Sequence, residues 1–132
     1  MQPMRVQLRL LFGAGQTFGP GKADLLDQIG QLGSISAAGR AMQMSYRRAW
    51  SLVEEMNRGF KLPLVATERG GAGHGGARVT EAGQAVLARY RRLQLMLETA
   101  GSGELAAFAE GLADPGESRL PTAMGDDMFD QT

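Results

Sequence analysis

The stretch that decides the fold is Gly-Ser-Ile-Ser-Ala-Ala-Gly-Arg-Ala-Met-Gln-Met-Ser-Tyr-Arg-Arg-Ala-Trp, residues 33–50. It predicts two helices joined by a turn at Gln43-Met44. We expect Ser36 to cap a short helix that runs through Met42, and Ser45 to cap the next helix, because a serine hydroxyl accepts hydrogen bonds from the free N–H groups of a first helical turn. Two helices in this order, with so short a turn, predict a helix-turn-helix.

The two helices are expected to cross at close range, because the first is rich in small residues: Ala37, Ala38, Gly39 and Ala41. The second is predicted to run from Ser45 to Arg58, with Gly59 as its C-terminal stop. Apolar residues recur along it at the spacing of one helical face, at Ala49, Leu52, Val53 and Met56. The rest of this helix is therefore predicted to face solvent.

Hydrophobic periodicity predicts the elements around this pair. In chain order they are a strand over Arg5–Phe12, a loop over Gly13–Gly21, a helix over Lys22–Leu32, a strand over Leu64–Arg69, a glycine-rich loop over residues 70–76, a return strand over Ala77–Val79 and a long helix capped by Thr80 that reaches Leu97. The first helix is expected to bury Leu25, Leu26, Ile29 and Leu32, and the last one Val86, Tyr90, Leu93 and Leu97. The predicted fold class is mainly α with a small β-sheet: a winged helix-turn-helix with a long C-terminal helix.

Charge divides the chain into two parts. Residues 1–99 carry 13 Lys and Arg against 7 Asp and Glu, a net charge of +6, whereas residues 100–132 carry one Arg against 7 acidic residues, a net charge of −6. We interpret 1–99 as one domain that binds a polyanion, since Lys and Arg displace condensed counterions from phosphates. Residues 100–132 are interpreted as a short amphipathic segment, with Leu105, Phe108, Ala109 and Leu112 on its apolar face, followed by an acidic, disordered tail.

Composition excludes several functions. The chain has no cysteine and a single histidine, so it lacks a thiolate metal site and a constellation of Ser, His and acid for nucleophilic catalysis. We expect no enzymatic activity, no cofactor and no metal. No apolar run approaches the ~18 residues of a membrane span, and no signal peptide is visible, so a soluble cytoplasmic protein without a membrane partner is predicted.

The candidate DNA-binding residues lie at helix starts and on the wing. An arginine near the start of the recognition helix can donate two hydrogen bonds to guanine O6 and N7, and serines at helix starts can bind phosphate oxygens. The wing, residues 64–79, is expected to contact the DNA backbone. The candidates are Ser34, Ser36, Ser45, Tyr46, Arg47, Arg48, Trp50, Ser51, Arg69, His74 and Arg78. Trp50 is equally compatible with packing under the wing.

These residues resemble a known family. The motifs are Gly33-Ser34-Ile35-Ser36, Met44 to Trp50, Glu55-Met56-Asn57, and the glycine-rich stretch 70–77 followed by Thr80 and Gly83. Over roughly residues 5–97 they resemble the N-terminal DNA-binding domain of ModE-type molybdate-responsive regulators, which is itself similar to LysR-type winged helices. The resemblance implies a homodimer, a recognition helix over 45–58 and a wing over 64–79.

The chain also departs from that family. Full-length ModE proteins continue into oxyanion-binding domains, for which a short acidic tail leaves no room, so we do not expect molybdate to bind this chain directly. The expected partners are double-stranded DNA and a second copy of the chain, in molybdenum-related transcriptional regulation. Two alternatives remain: a winged-helix adaptor that binds protein, favoured if the exposed face of 45–58 is apolar or acidic, and a small oxyanion-binding protein.

Overall fold

A computed structural model describes residues 4–69 and 75–114, and Val6–Ala100 form one compact unit within it. The elements of this unit are β1 Leu10–Phe12, β2 Gln16–Phe18, α1 Pro20–Leu32, α2 Ile35–Ala41, α3 Tyr46–Gly59, β3 Val65–Arg69, β4 Gly75–Val79 and α4 Glu81–Ala100. A second unit contains α5, Ser102–Glu110, which has no buried residue. The predicted class, a mainly α winged helix-turn-helix with a long C-terminal helix, is confirmed.

The crossing of α2 and α3 is as close as their small residues predict. A Cβ atom added to Gly39 would lie 2.9 Å from Ala49 Cβ, which is inside normal contact distance. Gln43 makes the turn with a positive φ of 59°. The four apolar residues predicted for the inner face of α3 are all buried. The helix itself is Tyr46–Gly59, so both bounds of the predicted 45–58 shift by one residue.

The predicted cap of α3 is confirmed, and the predicted cap of α2 is wrong. Ser45 caps α3, since its Oγ accepts from the Arg48 N–H at 3.0 Å. The prediction of Ser36 as the cap of α2 is wrong, because Ser34 Oγ accepts from the Ala37 N–H at 3.1 Å. The helix already begins at Ile35, which is buried, and Ser34 before it has the extended backbone of a cap residue.

The N-terminal strand is much shorter than predicted. Only residues 10–12 pair, with β2, and β2 itself lies within the predicted loop Gly13–Gly21. Glycines at 13 and 15 have positive φ values of 59° and 84°, which lets the chain reverse in three residues. The glycines that indicated a loop in the sequence therefore form the tight turn of a β-hairpin.

Residues 6–8 are bound by α4 instead of by a neighbouring strand. The Tyr90 hydroxyl donates to Leu8 O at 2.6 Å, Gln94 Nε2 donates to Val6 O at 3.0 Å, and the Val6 N–H donates to Glu98 Oε2 at 3.3 Å. Val6 and Leu8 are half-buried between exposed neighbours. The half-buried Val6 and Leu8 match the period of the predicted strand, but Leu10 is 36% exposed, and helix side chains satisfy the backbone of residues 6–8.

Helix α1 begins and packs differently from its prediction. It starts at Pro20 rather than Lys22, since proline suits the first helical position. Leu25, Leu26 and Ile29 are buried as expected, but Leu32 is 47% exposed because the chain turns away at Gly33 immediately after it.

The wing is an antiparallel hairpin of β3 and β4, with Val65 opposite Val79. Its return strand begins at Gly75 rather than Ala77, because glycines can make ladder hydrogen bonds without side chains. Residues 70–74, the first five of the predicted loop 70–76, lie outside the described residues. The Ala77 N–H donates to Gly33 O at 3.0 Å, which ties the wing to the corner between α1 and α2.

Helix α4 closes the core through aromatic contacts. The Phe18 ring lies 5.1 Å from the Tyr90 ring and 6.1 Å from the Phe60 ring, measured between centroids. Burial raises the pKa of the Tyr90 hydroxyl. Of the stripe predicted for this helix, Tyr90 is buried and Val86 and Leu93 are half-buried, but Leu97 is 47% exposed because it lies beyond the core.

A cluster of ion pairs joins α4 to α1. Arg91 lies 2.7 Å from Asp27 and 3.3 Å from Asp24. The hydrogen bond to Asp27 raises the pKa of the Arg91 guanidinium.

None of the helices in the described residues has both the length and the hydropathy that a membrane span requires.

Gly83 provides a test of how closely α4 packs on the start of the wing. A Cβ atom there would collide with Leu64 O and lie 2.7 Å from Val79 Cγ1. We expect Gly83→Ala to lower the free energy of unfolding by about 1–3 kcal/mol. Gly30→Ala is the matched control, because its Cβ would make an ordinary 3.6 Å contact with Val79 Cγ2. It should raise stability by about 0.5–1 kcal/mol. Urea denaturation measures the free energy of unfolding of both variants, and an equal change in the two would contradict this packing.

Candidate nucleic-acid interface

Helix α3 presents a polar outer face opposite its buried stripe. Spacings of four, three and four residues place its members in one row: Arg47, Ser51, Glu54 and Arg58. The two arginines and Glu54 are exposed, and Ser51 is half-buried. Within the described parts of the chain, neither arginine of this row makes an ion pair. The row therefore offers two guanidinium groups and one hydroxyl to a ligand in front of the helix.

A groove of about 590 Å³ separates α3 from the wing. Its walls come from the start of α2, the start of α3 and both wing strands, with the lining residues Ser34, Ile35, Ser36, Tyr46, Trp50, Thr67, Glu68, Gly75, Gly76 and Ala77. Four of the predicted site residues thus meet in one place, the two serines and the two aromatics. We call this the wing groove.

The two aromatic side chains of the wing groove have different exposures. Tyr46 is 63% exposed, and the centroid of its ring lies 6.1 Å from that of Trp50, with an angle of 61° between the ring planes. Trp50 is half-buried against the core, and its indole N–H is buried without an acceptor in the described ranges. Tyr46 is consequently the aromatic group that a ligand would meet first, and Trp50 supports it from behind.

Arg48 lies on the other flank of α3. It lines a small pocket with Arg9 and Lys22, away from the wing groove. The sequence predicted both Arg47 and Arg48 as DNA-contacting residues of one recognition surface, but successive helical residues point about 100° apart. The structure therefore assigns them to two surfaces: Arg47 to the outer face and Arg48 to the flank beside α1.

The wing carries one described arginine on its surface. Arg78 Nε lies 3.5 Å from Glu68 Oε2, and the two side chains are 62% and 67% exposed. Such an exposed pair contributes little, so it can be exchanged for another partner. Arg69 ends β3 opposite Gly75, and its side chain is outside the description. His74 also lies outside the described residues.

Asn57 holds the wing at a defined position relative to α3. Its Oδ1 accepts from the Leu64 N–H at 2.8 Å and from the Val65 N–H at 3.1 Å, and its Nδ2 donates to Val65 O at 3.1 Å. Thr80 supports the other strand, because its hydroxyl donates to Pro63 O at 2.7 Å and accepts from the Gly83 N–H.

Arg58 and Glu54 were missed as surface residues of this site. They lie on the same row as Arg47, which is recognisable from helical spacing alone. Arg9 was missed for a different reason: it is distant in sequence from α3, and only the tertiary structure brings it to Arg48.

Within 4–69 and 75–114 no group of three or more His, Cys, Asp or Glu residues could hold a metal ion.

Comparison with known proteins gives relatives named as molybdenum-pterin-binding proteins and as ModE proteins, although no protein-family model matches the chain. The chain is 36% identical over 114 residues to the molybdenum-pterin-binding protein MopA of Rhodobacter capsulatus, which covers 86% of this chain and 42% of MopA. It is 36% identical over 76 residues to the molybdenum transport protein ModE of Azotobacter vinelandii, covering 58% of this chain and 28% of that protein. It is 38% identical over 71 residues to the DNA-binding transcriptional dual regulator ModE of Escherichia coli, covering 54% and 27%.

Fold and site define a winged helix-turn-helix protein whose helix α3 has a polar, arginine-bearing outer face. The chain is a homologue of the ModE-type transcriptional regulators and corresponds to their N-terminal region. The resemblance predicted from the sequence motifs is thereby confirmed. The chain spans about two fifths of the length of MopA and less than a third of the two ModE proteins.

We expect Asn57→Ala to lower the free energy of unfolding by about 1–3 kcal/mol, because it leaves two part-buried N–H groups without an acceptor. Amide hydrogen exchange at Leu64 and Val65 should accelerate most. Gln94→Ala is the control, since it removes a single side-chain bond to the backbone, at Val6 O, and leaves the wing untouched. Unchanged exchange at Leu64 and Val65 in Asn57→Ala would show that the wing is held by other contacts.

Proposed function

We propose that this chain is a transcriptional regulator that binds duplex DNA, with α3 in the major groove and the β3–β4 wing on the DNA backbone. The observation that carries the proposal is the outer face of α3, where Arg47 and Arg58 are exposed without ion-pair partners among the described residues. A helix about 10–12 Å across fits a major groove about 12 Å wide. Homology to ModE-type regulators supports the same role.

The start of α3 is proposed to read base edges. Arg47 lies in the first turn of the helix and is exposed, so its planar guanidinium can donate two hydrogen bonds to guanine. Ser34 is proposed to bind a phosphate: its Oγ accepts from Ala37 N–H, which leaves the hydroxyl hydrogen to donate. Ser36, Ser45, Tyr46 and Ser51 are proposed as further contacts, and Trp50 as the support of Tyr46.

The wing is proposed to add contacts that do not depend on base sequence. Arg78 can exchange its pairing with Glu68 for a DNA phosphate, because an exposed ion pair contributes little and duplex DNA presents a dense row of phosphate charges. Arg69 and His74 remain predictions for the same role. The protein adaptor alternative is disfavoured, because the outer face of α3 is neither apolar nor acidic.

We also propose a homodimer, with residues 1–99 as the DNA-binding domain and 100–132 as an accessory segment. Helix α4 exposes three consecutive apolar residues near its end, Leu95, Met96 and Leu97, with exposures between 47% and 63%. A second copy packed there would cover them. Paired recognition helices suit paired half-sites about one DNA turn apart.

The regulation is proposed to concern molybdenum, as the names of the relatives MopA and ModE indicate. We do not expect this chain to bind molybdate itself. A tetrahedral oxyanion free in water needs several convergent donors in a shielded pocket, whereas every arginine of this unit whose burial the structure describes is exposed to solvent. Calorimetric titration with molybdate should consequently show no saturable binding.

DNA affinity is expected to depend steeply on salt, with two copies bound per site. If about 6 phosphates are contacted, affinity for duplex DNA should fall about a thousandfold between about 50 and about 200 mM salt. Sequences for the titration can be selected from random duplexes, and sedimentation of the complex gives its stoichiometry. Binding that is indifferent to salt would contradict the proposal.

Two arginine variants should differ in kind. Arg47→Ala should cost about 1–3 kcal/mol on the selected site and little on random duplex, because it removes base contacts. Arg78→Ala should weaken both duplexes alike, because it removes a phosphate contact. Glu68→Gln is the control for the wing: it releases Arg78 and should strengthen both. Equal losses on selected and random DNA for Arg47→Ala would show that α3 does not read bases.

A further inference from the structure

A small pocket lies on the flank of α3 that faces away from the wing groove. It has a volume of about 160 Å³ and is lined by three cations from separate parts of the chain, Arg9, Lys22 and Arg48. Arg9 precedes β1, Lys22 lies in the first turn of α1, and Arg48 lies in the first turn of α3. One carboxylate, that of Glu55, also lines the pocket. We call it the Arg9–Arg48 pocket.

The pocket keeps an excess of positive charge after its internal ion pair has formed. Lys22 Nζ lies 3.1 Å from Glu55 Oε1 and donates to Thr17 O at 2.7 Å. Its side chain is only 10% exposed, so the ammonium group is committed to these two partners. Arg9 and Arg48 are exposed and make no ion pair in the ranges that the structure describes. Two guanidinium groups are therefore available to an anion.

The start of α1 adds to the positive potential of the pocket. Gly19 caps α1 without a side-chain hydrogen bond, and no acidic residue lies in the first turn. The Arg9 side chain lies along this glycine, since a Cβ atom added to Gly19 would be 3.4 Å from Arg9 Nε. A guanidinium beside a helix N-terminus favours an oxyanion over any neutral ligand.

We propose that the Arg9–Arg48 pocket binds a phosphodiester of the DNA backbone at the edge of the major groove that α3 occupies. The inference rests on the proposed DNA-binding function. A helix that fills the groove brings its two flanks to the two phosphate strands that form the groove walls. The wing groove, with Tyr46, faces one wall, and the Arg9–Arg48 pocket faces the other. Arg9 thereby extends the DNA contacts beyond the helix-turn-helix and the wing.

The first test replaces Arg9 in the full chain. Arg9→Gln should weaken binding about fivefold to tenfold at low salt, on selected and random duplexes alike, and reduce the slope of log K against log salt by about one. Arg9→Lys keeps the charge and should retain the slope. Arg89→Gln is the matched control: it makes the same charge change beside Phe60, at the far end of α3, and should leave the slope unchanged.

The second test locates the phosphate. Duplexes that each carry one neutral methylphosphonate are titrated with the wild-type chain and with Arg9→Gln. The wild type should lose affinity at each contacted phosphate, and Arg9→Gln should become insensitive at just one of these positions per half-site, because charge and partner are removed together there. If the wild type binds DNA but Arg9→Gln responds to every methylphosphonate position as the wild type does, this inference is overturned and the proposed function remains intact. Failure of the wild type to bind any duplex overturns the proposed function.

A titration with inorganic phosphate separates backbone phosphate from a free oxyanion. We expect no saturable binding at millimolar phosphate. Two solvated guanidinium groups bind a free anion weakly, whereas a DNA phosphate is held beside them by the other protein–DNA contacts. Saturable binding that Arg9→Gln abolishes would assign the pocket to a free oxyanion and overturn the proposal.

Discussion

The close contact between Gly39 of α2 and Ala49 of α3 is the constraint on which the rest of the structure depends. A Cβ atom at residue 39 would lie 2.9 Å from that of Ala49, so no larger side chain fits without separating the helices. The crossing determines which side of α3 is buried, and hence that Arg47 and Arg58 lie on the outside. It also places the starts of both helices beside the wing, where the wing groove forms.

The wing is held to this helix pair at two separate points. Asn57 binds the start of β3 through three hydrogen bonds, and Gly33 accepts from Ala77 in β4. A hairpin of two strands alone is marginally stable in water, so these anchors give the wing a defined position. The proposed function requires such a position, because base and phosphate contacts must be made at the same time.

The distribution of charge over the surface says more about this protein than its net charge does. The chain has a formal net charge of zero, yet α3 presents arginines on two of its surfaces: Arg47 and Arg58 in front, and Arg48 on the flank beside Arg9. Lys22 does not add to them, because burial and its pairing with Glu55 make it a structural group. Counting basic residues would treat these cations alike, whereas Lys22 is committed to internal partners and Arg9, Arg47, Arg48 and Arg58 form no ion pair among the described residues.

The sequence by itself determined the helix-turn-helix, the buried stripe of α3, the Ser45 cap and the wing, because each follows from local spacing and the chemistry of turns. It also carried the motifs that led to the ModE-type relatives. Only the tertiary structure decided that residues 6–8 bind to α4 side chains instead of to a strand, that the α2 cap is Ser34, and that Arg9 lies beside Arg48. These depend on contacts between segments distant in the chain: Arg9 reaches Arg48 only because the β1–β2 hairpin returns the chain to the start of α1. Periodicity describes one segment at a time and contains no information on which segments will meet.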